Sequence, residues 1–492
     1  MRHHSWIPVL LAAALSGCAV GPDFVQPTAP HVHTYTAAAG ETAATLAAGP
    51  DEPEQRFDVG REISAEWWQL YQSRELSDAV GMAIADSPTL DAAEATLAQA
   101  QEAVIQAQAA FYPQIDANAG FARHQTASAP VRGQSNSAFD LFSLGGTLIY
   151  SPDVFGGTRR QVEQASALAQ SQEDQLAAAY LTLTGNVVAQ VIAIGGARLE
   201  IAASEEIIAE DQRNLDLVHA KFDAGKAAWT DVLTTESQLA NDLALLPPLR
   251  QQLSAANHAL SVLVGKLPAE WSPPAFELAA LTLPGELPVR IPSELVHQRP
   301  DILAAEAQLH AASAAVGVAT AQLYPSINIT ASAGLESMTG GALFNAASAV
   351  SDLGAGLTQP IFHGGALLSQ QRSAEDAYRG SLATYRQTVL QAFGQVADTL
   401  DALTHDAELV AAQRHALDVA DSSLALAQLS YAAGKSSFLQ LIDSQRLDQQ
   451  ARLGYARAQT QRFQDTTLLF VVMGGPWWQP GQREARPDAS VG

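Results

Sequence analysis

Apolar residues recur at intervals of four and three along two long stretches of the chain. One stretch follows Gly157 and the other follows Gly365, and each runs for about 65–70 residues to a later glycine, Gly225 or Gly434. Such spacing is the seam of a coiled-coil-like helix, and at about 1.5 Å per residue each stretch predicts a helix of roughly 100 Å. The seam positions are Leu176, Tyr180, Leu183, Val187 and Val191 in the first stretch and Tyr378, Leu382, Tyr385, Val389, Phe393, Val396, Leu400 and Leu403 in the second.

In two other regions, each of which contains two segments, the spacing changes from helical to alternating. "PSINITASAG" from Pro325 and "LGAGLTQ" from Leu353 alternate apolar with small or polar residues, and "QIDANAGF" from Gln114 and "FSLGGTLIY" from Phe142 flank a long polar loop. Alternation with period two is typical of strands with one buried face. The sequence therefore predicts two pairs of strands.

The chain repeats itself. "SPTLDAAEATLAQAQEAVIQAQAAFYPQI" from Ser87 matches "RPDILAAEAQLHAASAAVGVATAQLYPSI" from Arg299, and "FDAGKAAWTDVLTTE" from Phe222 matches "YAAGKSSFLQLIDSQ" from Tyr431. Because these landmarks keep nearly one offset, we infer a duplicated unit of roughly two hundred residues. The Gly-Lys pairs, Gly225-Lys226 and Gly434-Lys435, then mark hairpin tips where each long helix turns back, with glycine supplying a left-handed backbone.

These landmarks divide the chain into segments. The expected order is a signal peptide over 1–17, an acylated N-terminal segment with an equatorial or leading helix over 18–85, repeat 1 over 86–268, an equatorial linker over 269–297, repeat 2 over 298–475 and a disordered tail over 476–492. Each repeat is expected to hold a helix, two strands, a long helix, a hairpin tip and a return helix.

The N-terminus indicates export. A short apolar run ends in Leu15-Ser16-Gly17-Cys18, a lipobox that contains the chain's single cysteine. Cys18 is expected to carry diacylglycerol and an N-acyl group such as palmitate after cleavage, the alternative being a buried cysteine without chemistry. Ala19 follows it, as in lipoproteins sorted to the outer membrane. No later apolar run approaches twenty residues, so strands rather than helices are expected to cross the membrane.

Charge and composition narrow the function classes. The formal net charge is −24, which argues against nucleic-acid binding because phosphate would be repelled. Histidines are scattered singly, and neither a metal-binding motif nor a phosphate loop nor a nucleophile elbow occurs. The sequence predicts neither an enzyme nor a metal or other cofactor.

Four strands in one chain cannot close a barrel, and lipid does not tolerate an open sheet edge, so several chains must contribute to one barrel. Aromatic residues cluster where the predicted strands end, and they are expected to form a girdle at the membrane interface, the alternative being ordinary core aromatics. They are Tyr112, Tyr150, Phe155, Tyr324 and Phe362, with Phe111 beside them.

Six motifs in order resemble the outer-membrane factor family, the TolC-like and OprM-like efflux lipoproteins of tripartite pumps, NodT-type proteins included. They are "GPDF" after the lipobox, "WWQLY" at Trp67, "QRPDILAAEAQL" at Gln298, "YPSINITASAG" at Tyr324, "PIFHGG" at Pro360 and "GKSSFLQLIDSQR" at Gly434. The similarity runs from Cys18 to about Trp477.

The resemblance implies a mainly α protein with a membrane β-barrel. Three copies would share a 12-stranded barrel, continued by a helical tunnel through the periplasm. The tips would dock onto a periplasmic adaptor and an inner-membrane transporter, commonly proton-driven and of the RND type. Two copies of the Gly-Lys stretch per chain then give six tips per trimer.

Family members close the tunnel by polar links between hairpins and by rings of acids. Carried over by position, the resemblance assigns the link to Tyr431 with Asp231, and the acidic ring to Asp443, for which a solvated surface aspartate is the alternative. Three facing carboxylates would attract cations and constrict the pore. Gln440 stands where a second acid can occur and Ser436 where a linking Arg can occur, so the links are expected to be fewer or to run through Lys435 or Lys226.

Two further departures concern helix continuity. Pro247-Pro248 predicts a kink or interruption in the first return helix, and Gly195-Gly196 predicts a soft point in the first long helix. The competing function is a periplasmic coiled-coil tether or adaptor that makes no pore, and the strand pairs argue against it. The exported substrate cannot be read from the sequence.

Overall fold

The computed structural model describes residues 19–30, 32, 34–35, 45–46, 53–125 and 138–474. They form two compact units, which we describe separately. The sheet unit is drawn from Met1–Pro27, Thr96–Glu173 and Ala304–Arg386, and the hairpin unit from Thr28–Ala95, Asp174–Leu303 and Gln387–Gly492. Each unit takes segments from both copies of the repeat, so the repeats and the compact units divide the chain differently.

Helices make up most of the described chain, as the periodicity predicts. In chain order they are α1 (Arg74–Asp86), α2 (Pro88–Ala109), α3 (Gly157–Asp223), α4 (Trp229–Leu243), α5 (Leu246–Leu263), α6 (Pro292–Leu295), α7 (Pro300–Ala321), α8 (Ala366–Ala432) and α9 (Phe438–Met473). Short 3₁₀ turns lie at Trp67–Tyr71, Leu278–Ala280, Gly340–Ala342 and Ala346–Ser348.

Strands alternate with these helices. They are β1 (Thr45–Leu46), β2 (Gln55–Val59), β3 (Gln114–Gln125), β4 (Ala138–Tyr150), β5 (Glu286–Val289), β6 (Ser326–Ser337) and β7 (Ala349–Thr358). The predicted strand pairs are confirmed as β3 with β4 and β6 with β7. In the sheet unit these four form one antiparallel sheet in the order β3-β4-β6-β7.

The long helices α3 and α8 contain 67 residues each, which confirms the lengths read from the sequence. Most predicted seam positions in the hairpin unit are buried, and Val187 and Val191 on α3 and Val396 on α8 are fully buried. Tyr180 and Phe393 are half-buried. Burial of this stripe, at about 25 cal/mol per Å² of apolar surface, stabilises helices whose alanine-rich flanks contribute little.

The two return helices differ as predicted. In copy 2, α9 runs unbroken for 36 residues. In copy 1, α4 ends at Leu243 and α5 begins at Leu246, with Pro247-Pro248 in its first turn. Proline has no N–H to donate to the carbonyl four residues earlier, so the ladder of hydrogen bonds stops there, and the prediction of an interruption is confirmed.

The predicted soft point at Gly195-Gly196 does not interrupt the helix, and its lower local stability stays a prediction. Helix α3 passes through both residues without interruption. A Cβ on Gly195 would lie 2.9 Å from the backbone nitrogen of Leu278, and one on Gly196 would collide with the side chain of Thr460. The glycines thus permit close packing rather than bending, because neighbouring backbone and side chain occupy the space of their missing Cβ atoms.

The expectation that no helix is apolar enough to span a bilayer needs correction. Two described helices contain an 18-residue window long and apolar enough by composition: α3 and α7. About half of each window is buried within the chain, 50% and 56%. Alanine-rich packing helices meet this criterion without crossing lipid, so the finding is weak evidence for a span.

The hairpin unit also holds a small sheet in the order β1-β2-β5, with β2 parallel to β5. Arg462 of α9 is buried against it and donates through Nε to the side chain of Gln55 at 2.8 Å. The same guanidinium donates to the carbonyl oxygen of Pro53 at 2.9 Å. This charge is therefore held by oxygens of the leading segment, which ties 53–59 to the return helix.

Candidate membrane sheet and periplasmic gate

The four-stranded sheet has one mainly apolar face and one more polar face. Its register places Ile115 opposite Leu148, Phe121 opposite Phe142, and Ile327 opposite Leu357. The alternate positions carry mainly polar or small residues. Their pairs are Asp116 with Thr147, Asn118 with Gly145, Thr147 with Ser332, and Ser332 with Asp352. Because side chains alternate along each strand, most of the large apolar residues face the same side, and Leu141, Ile149 and Val350 are exceptions on the other side.

The apolar face is uncovered in the single chain. Ile115 is 73% exposed, Leu353 is 80% exposed and Phe121 is 61% exposed. Soluble monomers rarely leave a contiguous apolar surface of this kind open to water. A sheet with one apolar face and one polar face is what a barrel wall between lipid and an aqueous lumen requires.

The edges of the sheet are open. Among the described residues β3 pairs only with β4, and β7 only with β6. Twelve residues of β3 and ten of β7 therefore present one side of their backbone without a partner strand. An edge of this length cannot stay unpaired in lipid, because each unsatisfied N–H or C=O group costs several kcal/mol there.

The predicted girdle aromatics all lie at or just beyond strand ends. Tyr112 precedes β3, Tyr150 ends β4, and Phe362 follows β7. Tyr112 is 71% exposed and Phe362 is 87% exposed, whereas Phe155 stacks on Tyr324 with ring centroids 5.1 Å apart. The exposure of Tyr112 and Phe362 is what an interfacial belt of aromatic residues requires. The Phe155–Tyr324 stack connects the two copies of the repeat.

A strap of residues 19–26 follows the predicted lipidation site. Cys18 itself lies outside the described residues. The strap contacts α3 through Arg160, which is buried and donates to the carboxylate of Asp23 at 2.6 Å and to the carbonyl of Val20 at 3.2 Å. Phe24 stacks on His310 of α7 with ring centroids 4.4 Å apart. The segment after Cys18 is thus packed on the helices of the sheet unit.

Both predicted hairpin tips are sharp turns with the same geometry. Gly225 and Gly434 have φ of 70° and 68°, the left-handed region that glycine adopts without strain. The next N–H groups, of Lys226 and Lys435, donate to carbonyls five residues earlier, at 2.8 and 2.9 Å. This bond satisfies a carbonyl that the helix end leaves open, so the turn closes each long helix.

An aromatic pair spans each tip at matching positions. Phe222 and Trp229 have ring centroids 5.2 Å apart in copy 1, and Tyr431 and Phe438 have centroids 5.7 Å apart in copy 2. Phe438 also packs against the core of the copy 1 hairpin, which contains Val218 and Val232. The two hairpins of one chain therefore touch at the tip.

The predicted gate pair Tyr431 and Asp231 lies at this contact. Burial, and after it the negative charge of Asp231, raises the pKa of Tyr431. Among the described residues the carboxylate is not hydrogen-bonded to the tyrosine hydroxyl; it accepts the backbone N–H of Ala228 at 3.1 Å and so caps α4. Their direct hydrogen-bonded link stays a prediction.

Tyr431 contacts a cation, Lys221, whereas the resemblance implied a polar link between Tyr431 and Asp231. The ammonium of Lys221, in the last turn of α3, lies over the ring of Tyr431, 3.5 Å from its centroid. Sequence reasoning missed Lys221 because its copy 2 counterpart is Ser430 and the repeat gives no signal there. Lys226 and Lys435, the residues expected to replace the missing Arg, have no side-chain hydrogen bond or ion pair within the described chain.

The remaining gate positions lie in the first turns of α9. Asp443 is exposed and its Oδ1 lies 3.4 Å from Nη2 of Arg446, one helical turn further on. Gln440 donates its backbone N–H to the hydroxyl of Ser437, the N-cap, at 3.3 Å. A solvated Asp443 with an exposed partner leaves most of its charge available, because exposed ion pairs are weak.

Buried carboxylates beyond the tips were not predicted. Asp211 of α3 and Asp242 of α4 both accept from the side-chain amide of Gln449, at 3.3 and 3.1 Å. Gln238 also donates to Asp242, at 2.8 Å. Burial, followed by the bond and charge of Asp242, raises the pKa of Asp211 to about 8. One proton is thus held between two helices of copy 1 at neutral pH.

Copy 2 carries a related group. Asp448 of α9 is buried, and burial, then its contact with Asp421 of α8, raises its pKa to about 6. Arg452 lies between the helices, 2.8 Å from Asp448, 2.7 Å from Asp421 and 3.4 Å from Glu206 of α3. This cation connects both hairpins and offsets part of the repulsion between the acids.

The sheet has one mainly apolar face and one more polar face, and both of its edges are unpaired among the described residues. The chain also has two helical hairpins whose tips are in contact. These features are typical of a subunit of a membrane channel. The model of the outer membrane efflux protein family matches residues 79–266 and 291–475. The chain belongs to this family, which confirms the resemblance read from its motifs.

Individual relatives support the assignment over nearly the whole chain. The pyoverdine export outer membrane protein OpmQ of Pseudomonas aeruginosa is 29% identical over 92% of this chain and 97% of its own length. Nodulation protein T of Rhizobium leguminosarum bv. viciae is 26% identical over 98% and 95%. The solved outer-membrane channel OprN superposes with a TM-score of 0.84 at 25% identity, covering 94% of this chain and all of that one.

These findings fix the class of function. The protein is an outer-membrane exit duct of an efflux system, with the mainly helical channel-tunnel fold of its family. Its relatives are channels rather than enzymes, and nothing in the comparisons favours the pore-less tether. The predicted location in the outer membrane is confirmed.

Proposed function

We propose that three identical chains complete the duct. Each supplies β3-β4-β6-β7, and β7 of one chain pairs with β3 of the next, giving twelve strands and one lumen. The observation that carries this proposal is the pair of open edges on an otherwise regular amphipathic sheet. Closure removes both edges and covers every apolar face with lipid.

The hairpins continue the lumen into the periplasm in this proposal. Six tips per trimer, built on Gly225-Lys226 and Gly434-Lys435, dock onto a periplasmic adaptor, which joins the duct to an inner-membrane transporter of the proton-driven RND type. Acyl groups on Cys18 and the packed strap hold each chain at the outer membrane. The exposed charges of Lys226 and Lys435 and the rigid turns suit a docking surface.

The duct passes what the transporter delivers. Relatives named for pyoverdine export, antibiotic efflux and toluene efflux all match more than nine-tenths of the chain. A passive conduit that leaves substrate choice to its transporter accounts for that range. Substrate identity therefore rests with the partner pump.

The proposal is tested with the purified, acylated protein. We expect a heat-modifiable trimer that resists SDS and that forms ion-conducting channels in planar bilayers. A monomer that neither resists SDS nor conducts would refute the proposal.

The acidic ring is tested in the same bilayers. Asp443→Ala is expected to lower cation selectivity and block by divalent ions, because three carboxylates around one axis are lost. Asp216→Ala, an exposed acid of α3, serves as the control. Unchanged selectivity and block in Asp443→Ala would remove this residue from the pore.

A further inference from the structure

The contact between Lys221 and Tyr431 joins the two hairpins of one chain. Lys221 belongs to the last turn of α3 in copy 1, and Tyr431 to the last turn of α8 in copy 2. The ammonium lies 3.5 Å from the ring centroid, well inside the distance of about 6 Å at which a cation is attracted to an aromatic face. No residue of the tips other than this lysine places a cation on a ring within the described chain.

The surroundings of the ring favour this contact. Tyr431 packs against the apolar cluster of Leu424, Ala427 and Leu441 and against the ring of Phe438. Tyr431 is therefore half-buried by these contacts, and Lys221 lies over its ring. Partial removal of water from the pair strengthens the attraction between cation and ring.

A negative charge close to the pair favours the contact between Lys221 and Tyr431. Asp231, in the first turn of α4, lies near enough for its charge to act on Tyr431. Its carboxylate caps α4 through the N–H of Ala228 and is thereby fixed at the tip. A fixed negative charge close to the ring helps to hold the ammonium of Lys221 there, without any hydrogen bond to the tyrosine hydroxyl.

Copy 1 shows what the position tolerates. Phe222 occupies the place of Tyr431 in the first hairpin and packs on Trp229 much as Tyr431 packs on Phe438. The tip fold therefore accommodates phenylalanine at this position. The hydroxyl of Tyr431 is dispensable for packing, and the ring face is the part that Lys221 uses.

We propose that Lys221, seated on the ring face of Tyr431, is the link that holds the two hairpins of each chain together in the closed duct. The link depends on a cation and an aromatic face, and the phenolic hydroxyl plays no part in it. The proposal rests on the proposed function, since closure has meaning only for a channel.

The test uses single-channel recording of the purified trimer and uptake by cells of a large glycopeptide antibiotic that the outer membrane normally excludes. Lys221→Met and Tyr431→Leu are expected to raise the open fraction about tenfold, since three links per trimer are lost together. Lys221→Arg and Tyr431→Phe are expected to stay closed, because each retains cation and ring.

Three controls separate the explanations. Arg213→Met removes a positive charge from an exposed site on the same helix and should leave the open fraction unchanged. The double variant Lys221→Met/Tyr431→Leu should open no more than either single variant, as expected for two halves of one contact. SDS-resistant trimer must be present in equal amount in all variants, so that opening is not mistaken for failed assembly.

The contrary outcomes are distinct. If Tyr431→Phe opens the duct as much as Tyr431→Leu while Lys221→Met stays closed, a hydroxyl link operates and the proposal is overturned. It is likewise overturned if Lys221→Met and Arg213→Met behave alike. If the wild-type trimer forms no channels, the proposed function fails, whatever the variants do.

Discussion

The two hairpins of the chain have the same backbone geometry at their tips but differ in the return helix and in the side chains that contact the other hairpin. Both tips have a left-handed glycine, the same reverse hydrogen bond and a spanning aromatic pair. Yet the return helix is broken in copy 1 and continuous in copy 2, and only copy 1 supplies the lysine that reaches across. The two copies thus keep the turn geometry, whereas the return helix and the contact made by Lys221 differ between them.

The strongest test of this difference is to introduce a proline into the continuous return helix of copy 2, at the position that proline occupies in copy 1. Ala456 of α9 corresponds to Pro247 and is buried within an unbroken helix. Ala456→Pro should cost about 3 kcal/mol or more, since it removes a helical hydrogen bond and adds a steric clash. Pro247→Ala should change stability by less than about 1 kcal/mol. Thermal unfolding followed by circular dichroism measures both, and equal losses would contradict the assignment.

A second test sets the two tip glycines against each other. Because Gly225 and Gly434 have the same φ and open space around the missing Cβ, valine at either should cost about 1–2 kcal/mol of backbone strain. We expect each substitution to reduce drug resistance in cells, and the pair to reduce it further. Asparagine, which tolerates this backbone, is the control. Normal resistance in the double valine variant would argue against a role of the tips in coupling.

The helix caps offer a smaller contrast. Copy 2 caps α9 with the hydroxyl of Ser437, whereas copy 1 caps α4 with the carboxylate of Asp231. Ser437→Ala and Asp231→Ala should each cost about 1 kcal/mol, with the largest effect in the helix that loses its cap. Hydrogen exchange read by mass spectrometry should show faster exchange in the first turn of α9 or of α4, respectively. Unchanged exchange in the helix whose cap was removed would contradict the capping role of that residue.

A further expected effect is a dependence of stability on pH. The folded-state pKa of Asp211 is about 8, above the unfolded value, so the stabilisation it provides is complete at acid pH and is lost as pH rises toward 8. The wild-type melting temperature should therefore be higher at pH 5 than at pH 8.5 because of this group. Asp211→Asn should flatten that difference while Asp216→Asn, on the exposed side of α3, should not. A pH profile unchanged by Asp211→Asn would place the titration elsewhere.

Much of the fold followed from periodicity and repetition. Both 67-residue helices, the four sheet strands, the glycine turns and the break at Pro247-Pro248 are local features, set by residues within a few positions of each other. Local rules of propensity and spacing suffice for such features. The family resemblance followed from six short motifs for the same reason.

The contacts between hairpins could not be predicted in this way. Lys221 and Tyr431 are 210 positions apart, and the proton-sharing acids Asp211 and Asp242 meet through Gln449 of a third helix. Only packing decides which side chains face each other at that distance. The close packing at Gly195-Gly196 could not be predicted for a related reason. Glycine in a helix signals either flexibility or close approach, and the neighbours of these glycines, Leu278 and Thr460, are remote in sequence.

The measurement that tests the central claim most directly is disulfide trapping between the two open edges of the sheet. The natural sequence has one cysteine, the predicted acylation site, so pairs introduced along β3 and β7 report without background. We expect cysteine pairs in register to yield covalent dimers and trimers and nothing larger, because the ring closes at three. Monomers alone at every register, or ladders that extend past three chains, would contradict a barrel shared by three copies.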